Sequence, residues 1–343
     1  MCPGAVDAAA AAAGEGKSVC VMDAAGPLGH ALVDRLLRRG YTVHAATYGR
    51  GGEDEEEEDR EAAAAAGALL DHLSRGGGGG GGDAHMHRLK VFRADPFDYH
   101  AIADAVRGCA GVFCMFNTPQ DQARCDEVTV ETEVRAAHNV LEACAQTDAM
   151  ERVVFTSSVT AVVWNGAAAA AGHSGEEEHE HPLVVDEKCW SDLILCRKFK
   201  LWHALAKTLS EKTAWALAMD RGVDMVAINA GLLTAPGLTA AHPYLKGAPD
   251  MYGAGVLATV DVDFLADAHI AAYESPTSHG RYLCFNNAVC RPEDAVKLAQ
   301  MLSSAAPRSP PSDELKVIPQ RIQNKKLSKL MLEFASGVYG ELD

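Results

Sequence analysis

The sequence lacks the features that mark secreted, membrane-spanning and nucleic-acid-binding proteins. Its ten cysteines form no CxxC pair and no zinc-like spacing, so we predict reduced, mostly buried thiols and no metal site. No run of eighteen apolar residues occurs, and the Ala-rich segment 1–16 has neither a basic nor a Leu-rich signal-peptide region. No basic face is evident either. We therefore expect a cytoplasmic protein that binds neither nucleic acid nor a membrane.

The formal net charge of −16 is strongly negative, but two short runs carry much of it. Seven acidic residues are consecutive at 53–59, and four more lie within 176–180. Low-complexity composition of this kind cannot bury enough apolar surface to offset its ordering entropy. We predict that three such segments are dispensable to the fold. They are a disordered tail at 1–16 and inserts at 51–83 and 166–182, and residues 69–73 of the second are also compatible with a helical turn.

Short apolar runs alternate with amphipathic helical segments along most of the chain. The strand-like runs are 19–22, 41–47, 89–92, 111–116, 152–156 and 225–228, and the helical segments include 28–37, 101–106, 130–145 and 201–219. This alternation predicts an α/β fold with a Rossmann-type doubly wound parallel sheet. After Asn229 the chain becomes rich in Gly and Pro. We therefore predict a dinucleotide-binding domain over 17–230 and, over 231–343, mainly a smaller C-terminal substrate lobe and a tail.

The turn after the first predicted strand carries two glycines in the sequence DAAGPLG, residues 23–29. Glycines at this place let a pyrophosphate approach the backbone, and a helix that begins near Pro27 offers amide groups to it. We expect Gly26, Leu28 and Gly29 to contact a dinucleotide. The alternative is an ordinary glycine turn, which the position between a strand and a helix disfavours.

The segment after the second predicted strand indicates which dinucleotide is bound. It has no acidic residue until Glu53, so the carboxylate that would bind a free ribose hydroxyl is missing. This favours NADP over NAD. Arg50, Arg38 and Arg39 are candidates for its extra phosphate, and each is equally plausible as a solvated charge. Asp95 is either a contact to the adenine amino group or a turn residue before a proline.

Several longer motifs resemble those of the plant cinnamoyl-CoA reductase and dihydroflavonol reductase group. They are GCAGVF at 108–113, VVFTSS at 153–158, CWSD at 189–192 and VDVDFLADAHI at 260–270. The resemblance extends from about residue 17 to 334 outside the inserts. It implies an extended short-chain dehydrogenase in which NADPH reduces a hydroxycinnamoyl-CoA thioester to the aldehyde, as in the phenylpropanoid pathway to lignin. The implied partner is a small aromatic CoA thioester.

That family uses a serine, a tyrosine and a lysine four residues after the tyrosine. Ser158 matches the serine, with Ser157 as the other register, and Lys207 matches the lysine. His203 stands at the tyrosine position. No tyrosine lies between residues 99 and 244, and none of the eight is followed by lysine four residues later, so no shift of register restores the motif.

His203 and Lys207 are one helical turn apart and can meet the same substrate and cofactor ribose. A histidine pKa starts near 6.5, and a neighbouring ammonium group disfavours a second positive charge, so we predict a neutral imidazole. A neutral imidazole and Ser158 can each donate one hydrogen bond to an oxyanion. Reduction of a thioester tolerates the missing proton donor, because a thiolate can leave without one. The alternatives are a catalytically silent, cofactor-binding relative that acts through partners, and a ketone reductase, which needs the proton.

Other positions also depart from the family pattern. Asp23 stands where relatives carry glycine, which places a carboxylate near the pyrophosphate. Tyr48 matches the family's arginine after the second strand and is a predicted cofactor contact. Met115 and Phe116 replace small residues beside the nicotinamide, where they either narrow the ring site or belong to the core.

Overall fold

A computed structural model describes residues 14, 16–47, 55–76, 86–116, 125–165, 184–303, 306 and 317–336. The strands are β1 Ser18–Val21, β2 Thr42–Thr47, β3 Leu89–Arg93, β4 Gly111–Cys114, β5 Arg152–Ser158, β6 Met225–Ala230, β7 Leu232–Thr234, β8 Ala258–Asp261, β9 Gly280–Cys284 and β10 Asn287–Ala288. Seven of them form one parallel sheet in the order β3-β2-β1-β4-β5-β6-β9. The predicted Rossmann-type fold is therefore confirmed, and the strand order reverses between β1 and β4.

Helices cover both faces of this sheet. They are α1 Pro27–Arg38, α2 Glu55–Gly76, α3 Tyr99–Val106, α4 Glu127–Ala145, α5 Thr160–Val163, α6 Leu193–Lys198, α7 Trp202–Arg221, α8 Ala248–Gly253, α9 Val262–Glu274, α10 Pro292–Leu302 and α11 Lys325–Ser336. On one face α3, α4 and α7 pack together, and on the other face α9 lies between α1 and α11. None of the described helices is long and apolar enough to cross a bilayer.

The core follows from the apolar pattern of β1, β2, β4, β5 and β6, which are buried on both faces as central parallel strands must be. Val21 and Phe113 face α1 and α9, whereas Cys20 and Val112 face α3 and α4. The starts of α3, α4, α6 and α9 are fixed locally by an aspartate side chain. The Asp126 carboxylate accepts from the amide of Thr129 at the start of α4 in a capping box, for example.

Residues 55–76, which lie within the predicted insert at 51–83, form the 22-residue helix α2, so the expectation that this composition cannot order is wrong there. Alanine has the highest helix propensity, so the run that looks featureless in composition favours a helix. Leu69 is 0% exposed and Leu73 is 8% exposed, and both join the apolar cluster around α1. The two leucines give the segment an apolar stripe, which docks it on the body.

The region after Asn229 divides between the sheet and a second layer. Strands β7, β8 and β10 form a small separate sheet, β7 parallel and β10 antiparallel to β8. Together with α8 and α10, this small sheet encloses its own apolar cluster beside α5 and the start of α7. Strand β9, which lies in the stretch that sequence analysis assigned mainly to the lobe, instead pairs with β6 as the last strand of the main sheet.

Candidate active site

The turn between β1 and α1 has the backbone shape that the dinucleotide-binding prediction requires. A Cβ atom at Gly29 would overlap the carbonyl oxygen of Asp23 and lie 2.7 Å from the Cα of Ala24, so a side chain is excluded there. Helix α1 has Gly26 as its N-cap residue and no side chain that caps it. The first amides of such a helix lack intrahelical acceptors. They fit a pyrophosphate, which presents several acceptor oxygens.

Asp23 is the residue in this turn that fits least well. Its φ is +54°, in the left-handed region that costs an ordinary side chain about 1 kcal/mol relative to glycine. It is buried, 8% exposed, and lines the same cleft as Gly26 and Gly29. Glycine at this position would carry neither the strain nor the charge.

A cleft of about 470 Å³ extends from the glycine turn along the carboxyl ends of the strands. Ser158, His203 and Lys207 line it together with Gly26, Leu28 and Gly29, so the structure brings the predicted catalytic residues and the turn into one space. Its other walls are Met115 and Phe116 and the segment 230–244. Met115 is at once a cleft wall and a member of the core, 5% exposed.

Ser158 and His203 meet through a residue that sequence analysis did not single out. The hydroxyl oxygen of Thr160, on α5, lies 3.0 Å from Ser158 Oγ and 3.0 Å from His203 Nδ1. The amide of Thr160 also donates to Ser158 Oγ, at 3.1 Å. All three side chains are buried. Thr160 therefore links the two predicted catalytic groups directly.

Ser157, the other possible register for the serine, is committed elsewhere. Its hydroxyl donates to Glu211 Oε2 at 2.6 Å, inside a buried network. Glu211 also accepts from Arg281 Nε at 2.6 Å and from Asn229 Nδ2 at 2.7 Å, and Arg281 stacks on Trp190. This network ties α7 to β5, β6 and β9 and leaves Ser158 as the serine that faces His203.

The surroundings of His203 favour the neutral imidazole. Burial, with smaller effects from the ammonium group of Lys207 and from His242, lowers the pKa of His203 well below its usual value of 6.5. The rings of His242 and Tyr244 stand at 6.2 and 5.9 Å from the His203 ring, edge to face. The Tyr244 hydroxyl donates to the Ala258 carbonyl oxygen at 3.0 Å, so its proton is engaged by the backbone.

Lys207 forms a buried ion pair that the sequence pattern did not indicate. Its Nζ lies 2.8 Å from Glu133 Oε1, and the side chains are 7% and 8% exposed. Ser210 also donates to Glu133, at 3.2 Å. Glu133 comes from α4 and Lys207 from the neighbouring α7, so only the packing of the two helices brings them together. The pair fixes the ammonium group at the edge of the cleft.

The remaining predicted cofactor contacts have different outcomes. Tyr48 and Arg50 lie outside the described residues. The Asp95 carboxylate accepts from the amide of Phe97 at 2.8 Å, as a turn residue does, and its contact to adenine stays a prediction. Arg38 pairs with a carboxylate one turn earlier on α1, and Arg39 pairs with the buried Glu274. The two arginines are thus engaged as helix-end charges.

A scan against protein families matches residues 19–187 to the NAD dependent epimerase/dehydratase family. Cinnamoyl-CoA reductase 1 of Petunia hybrida is 34% identical over 333 residues, which cover 93% of this chain and 88% of the relative. Cinnamoyl-CoA reductase 1 of Arabidopsis thaliana is 33% identical, with 94% and 86% covered. Dihydroflavonol 4-reductase of Zea mays is 29% identical, with 94% and 85% covered.

Among solved structures, vestitone reductase from alfalfa shares the fold. Its TM-score is 0.60 at 24% identity, and the match covers 91% of each chain. Three findings point to the same family. They are the sequence identities, the coverage of nearly the whole length and the glycine turn at the start of a parallel sheet. The chain therefore belongs to the NAD dependent epimerase/dehydratase family, in the group of the plant cinnamoyl-CoA reductases and dihydroflavonol reductases.

Proposed function

We propose that this protein is an NADPH-dependent reductase that converts an aromatic CoA thioester, of the hydroxycinnamoyl type, to the aldehyde. The observation that carries the proposal is the single cleft that holds the glycine turn together with Ser158, His203 and Lys207. Relatives named cinnamoyl-CoA reductase, about one-third identical over most of the chain, support this choice of substrate. Such a reaction belongs to phenylpropanoid metabolism.

The glycine turn fits the cofactor's pyrophosphate, and Lys207 is the group that would bind its ribose. When bound, NADPH supplies a hydride to the carbonyl carbon. Arg50 and Tyr48 follow β2 in the sequence, where the phosphate that distinguishes NADP is bound in this fold. The Asp23 carboxylate opposes pyrophosphate binding, because like charges at close range cost about 1 kcal/mol even in water-like surroundings.

Ser158 is the residue best placed to polarise the substrate carbonyl. Its oxygen accepts two hydrogen bonds from Thr160, so its own proton remains for a third partner in the cleft. A donor of this kind stabilises the negative charge that develops on the carbonyl oxygen, and removing one typically costs about 100-fold to 1000-fold in rate. A buried neutral histidine is a poor proton donor, which disfavours ketone reduction. A thioester avoids that requirement, because the thiolate leaves without being protonated first.

The proposal is tested by NADPH consumption with feruloyl-CoA, comparing the native protein with His203→Tyr. A phenol at position 203 can donate a proton to the carbonyl oxygen, so we expect slow turnover by the native protein and turnover about 100-fold faster by the variant. A Ser158→Ala variant serves as the control that abolishes most of both rates. If neither protein oxidises NADPH while both bind it, the reductase proposal is wrong.

A second candidate is a protein that binds the cofactor without catalysis. The observation that favours it is the ion pair between Lys207 and Glu133, which occupies the ammonium group that the reaction would use. In that case NADPH binds the native protein, and no turnover appears even in the His203→Tyr variant. The fluorescence of NADPH separates this outcome from a failure to bind the cofactor, and turnover assays with other aromatic CoA thioesters separate it from a wrong choice of acyl group.

A further inference from the structure

Thr160 holds a position between the two predicted catalytic side chains that limits what each can do. Thr160 is 2% exposed, and its hydroxyl oxygen lies 3.0 Å from both Ser158 Oγ and His203 Nδ1. Backbone geometry fixes this placement, because Thr160 starts the short helix α5 directly after β5. Neither neighbour can turn away without leaving a buried polar atom unpaired, which costs about 1 to 3 kcal/mol.

The geometry of the bond between the two hydroxyl groups makes Thr160 the donor and Ser158 Oγ the acceptor, and this fixes the direction of the remaining hydrogen bond. A threonine hydroxyl has one proton, and here it is donated to Ser158 Oγ. The contact with His203 then needs its proton from the ring, so Nδ1 carries hydrogen and donates to Thr160. A neutral imidazole has one N–H group, which leaves Nε2 with a lone pair. His203 is neutral because burial lowers its pKa.

We propose that Thr160 is a positioning residue that holds His203 in the tautomer protonated at Nδ1 and thereby makes Nε2 a hydrogen-bond acceptor. Ser158 is then the only one of the two groups that donates to a carbonyl oxygen in the cleft. His203 instead accepts a hydrogen bond, so a ligand that offers a hydroxyl group next to the carbonyl site is favoured there. This inference differs from the sequence-based expectation that the neutral imidazole donates to the oxyanion.

The catalytic part of this inference rests on the proposed function, whereas the tautomer does not. With Ser158 as the single donor, reduction is limited to substrates whose leaving group departs without a proton. A change that frees His203 to donate from Nε2 would add a second donor to the carbonyl oxygen. Thr160 thus sets the chemistry of the site although it contacts neither reacting atom.

The test is the ¹⁵N NMR spectrum of the histidine rings in the full-length protein without substrate. The His203 signals are those that disappear in a His203→Phe variant. In the native protein and in Thr160→Ser, which keeps the hydroxyl, we expect Nδ1 to have the chemical shift of a protonated nitrogen. We expect Nε2 in both proteins to have that of an unprotonated nitrogen. In Thr160→Val, which keeps the shape of the side chain, we expect the proton to move largely to Nε2.

A native spectrum with the proton on Nε2 would overturn the inference, and so would a Thr160→Val spectrum identical to the native one. If Thr160→Val does not fold, the native spectrum alone decides the tautomer.

Turnover of feruloyl-CoA separates the tautomer proposal from the reductase proposal. We expect kcat of Thr160→Ser to stay within about threefold of the native value, because its hydroxyl is retained. Absence of turnover in every variant would refute the reductase and leave the tautomer assignment standing.

Discussion

Asp23 shows how one residue affects both the fold and the cofactor site. Its left-handed φ and its carboxylate are both unfavourable at the place where a pyrophosphate approaches. Glycine would remove both penalties, because it adopts positive φ freely and has no charge. The position is therefore where a single substitution should improve cofactor binding.

We expect Asp23→Gly to lower the Kd for NADPH about fivefold and to raise the free energy of unfolding by about 1 kcal/mol. Asp23→Asn is the matched control, because it removes the charge and keeps a side chain at the same φ. It should reproduce most of the gain in affinity and less of the gain in stability. Fluorescence titration and urea unfolding measure the two quantities. Weaker NADPH binding by Asp23→Gly would contradict the expectation.

The ion pair between Glu133 and Lys207 is the second residue-scale feature that determines the site. Removing one member leaves a buried charge without compensation, so we expect Glu133→Gln and Lys207→Met each to lower the free energy of unfolding by about 3 to 5 kcal/mol. The double variant should recover most of that loss. Chemical denaturation of the four proteins gives the coupling energy, and simple additivity of the two losses would argue against the pair.

At the scale of the elements, helix α2 is the clearest addition to the sequence-based picture. Its acidic start and its alanine run look like a solvated linker, but two leucines dock it on α1, the helix that starts at the glycine turn. His72 of α2 also stacks on His30 of α1, with ring centroids 4.8 Å apart. The helix thus supports the rear of the cofactor site.

Adjacent leucines on α2 offer a matched test of this docking. Leu69 is fully buried and Leu70 is 39% exposed. We expect Leu69→Ala to lower the free energy of unfolding by about 2 to 4 kcal/mol through the cavity it leaves, and Leu70→Ala to change it by less than about 0.5 kcal/mol. Urea unfolding followed by circular dichroism measures both. Equal effects of the two substitutions would mean that α2 is not docked.

The positions of most strands of the main sheet and of its longest covering helices were predictable, because a local pattern encodes them. The apolar runs of β1, β2, β4, β5 and β6 and the amphipathic spacing of α1, α4 and α7 all appear at the expected places. Strand β9 was not assigned as a strand from the sequence, since a five-residue run beside a glycine carries little periodic signal. Only its pairing with β6 establishes its role.

At the scale of the whole molecule, buried neutral histidines make stability depend on pH. Burial lowers the pKa of His269 and that of His242 to about 4. His269 donates from Nδ1 to the Leu265 carbonyl oxygen and bonds Thr156 through Nε2, each at 2.7 Å. In the unfolded chain such groups titrate near pH 6.5.

Between pH 6.5 and about 4 the unfolded state therefore binds more protons than the folded state. We expect the free energy of unfolding to be highest above pH 6.5. Below pH 6.5 it should fall by about 1.4 kcal/mol per pH unit for each of these histidines. His269→Gln should make that slope shallower, and the exposed His100→Gln should not. Urea unfolding at a series of pH values measures the slopes, and parallel slopes for native protein and His269→Gln would contradict the assignment.

The sequence by itself determined the alternation of strands and helices, the glycine turn, the family and the spacing of His203 and Lys207 on one helix. These are local properties, because period, turn chemistry and an interval of four residues depend only on neighbours along the chain. The contacts of Thr160 with His203 and of Glu133 with Lys207 were decided by the tertiary structure alone. They join residues 43 and 74 positions apart, and no local pattern specifies which side chains two packed helices bring together.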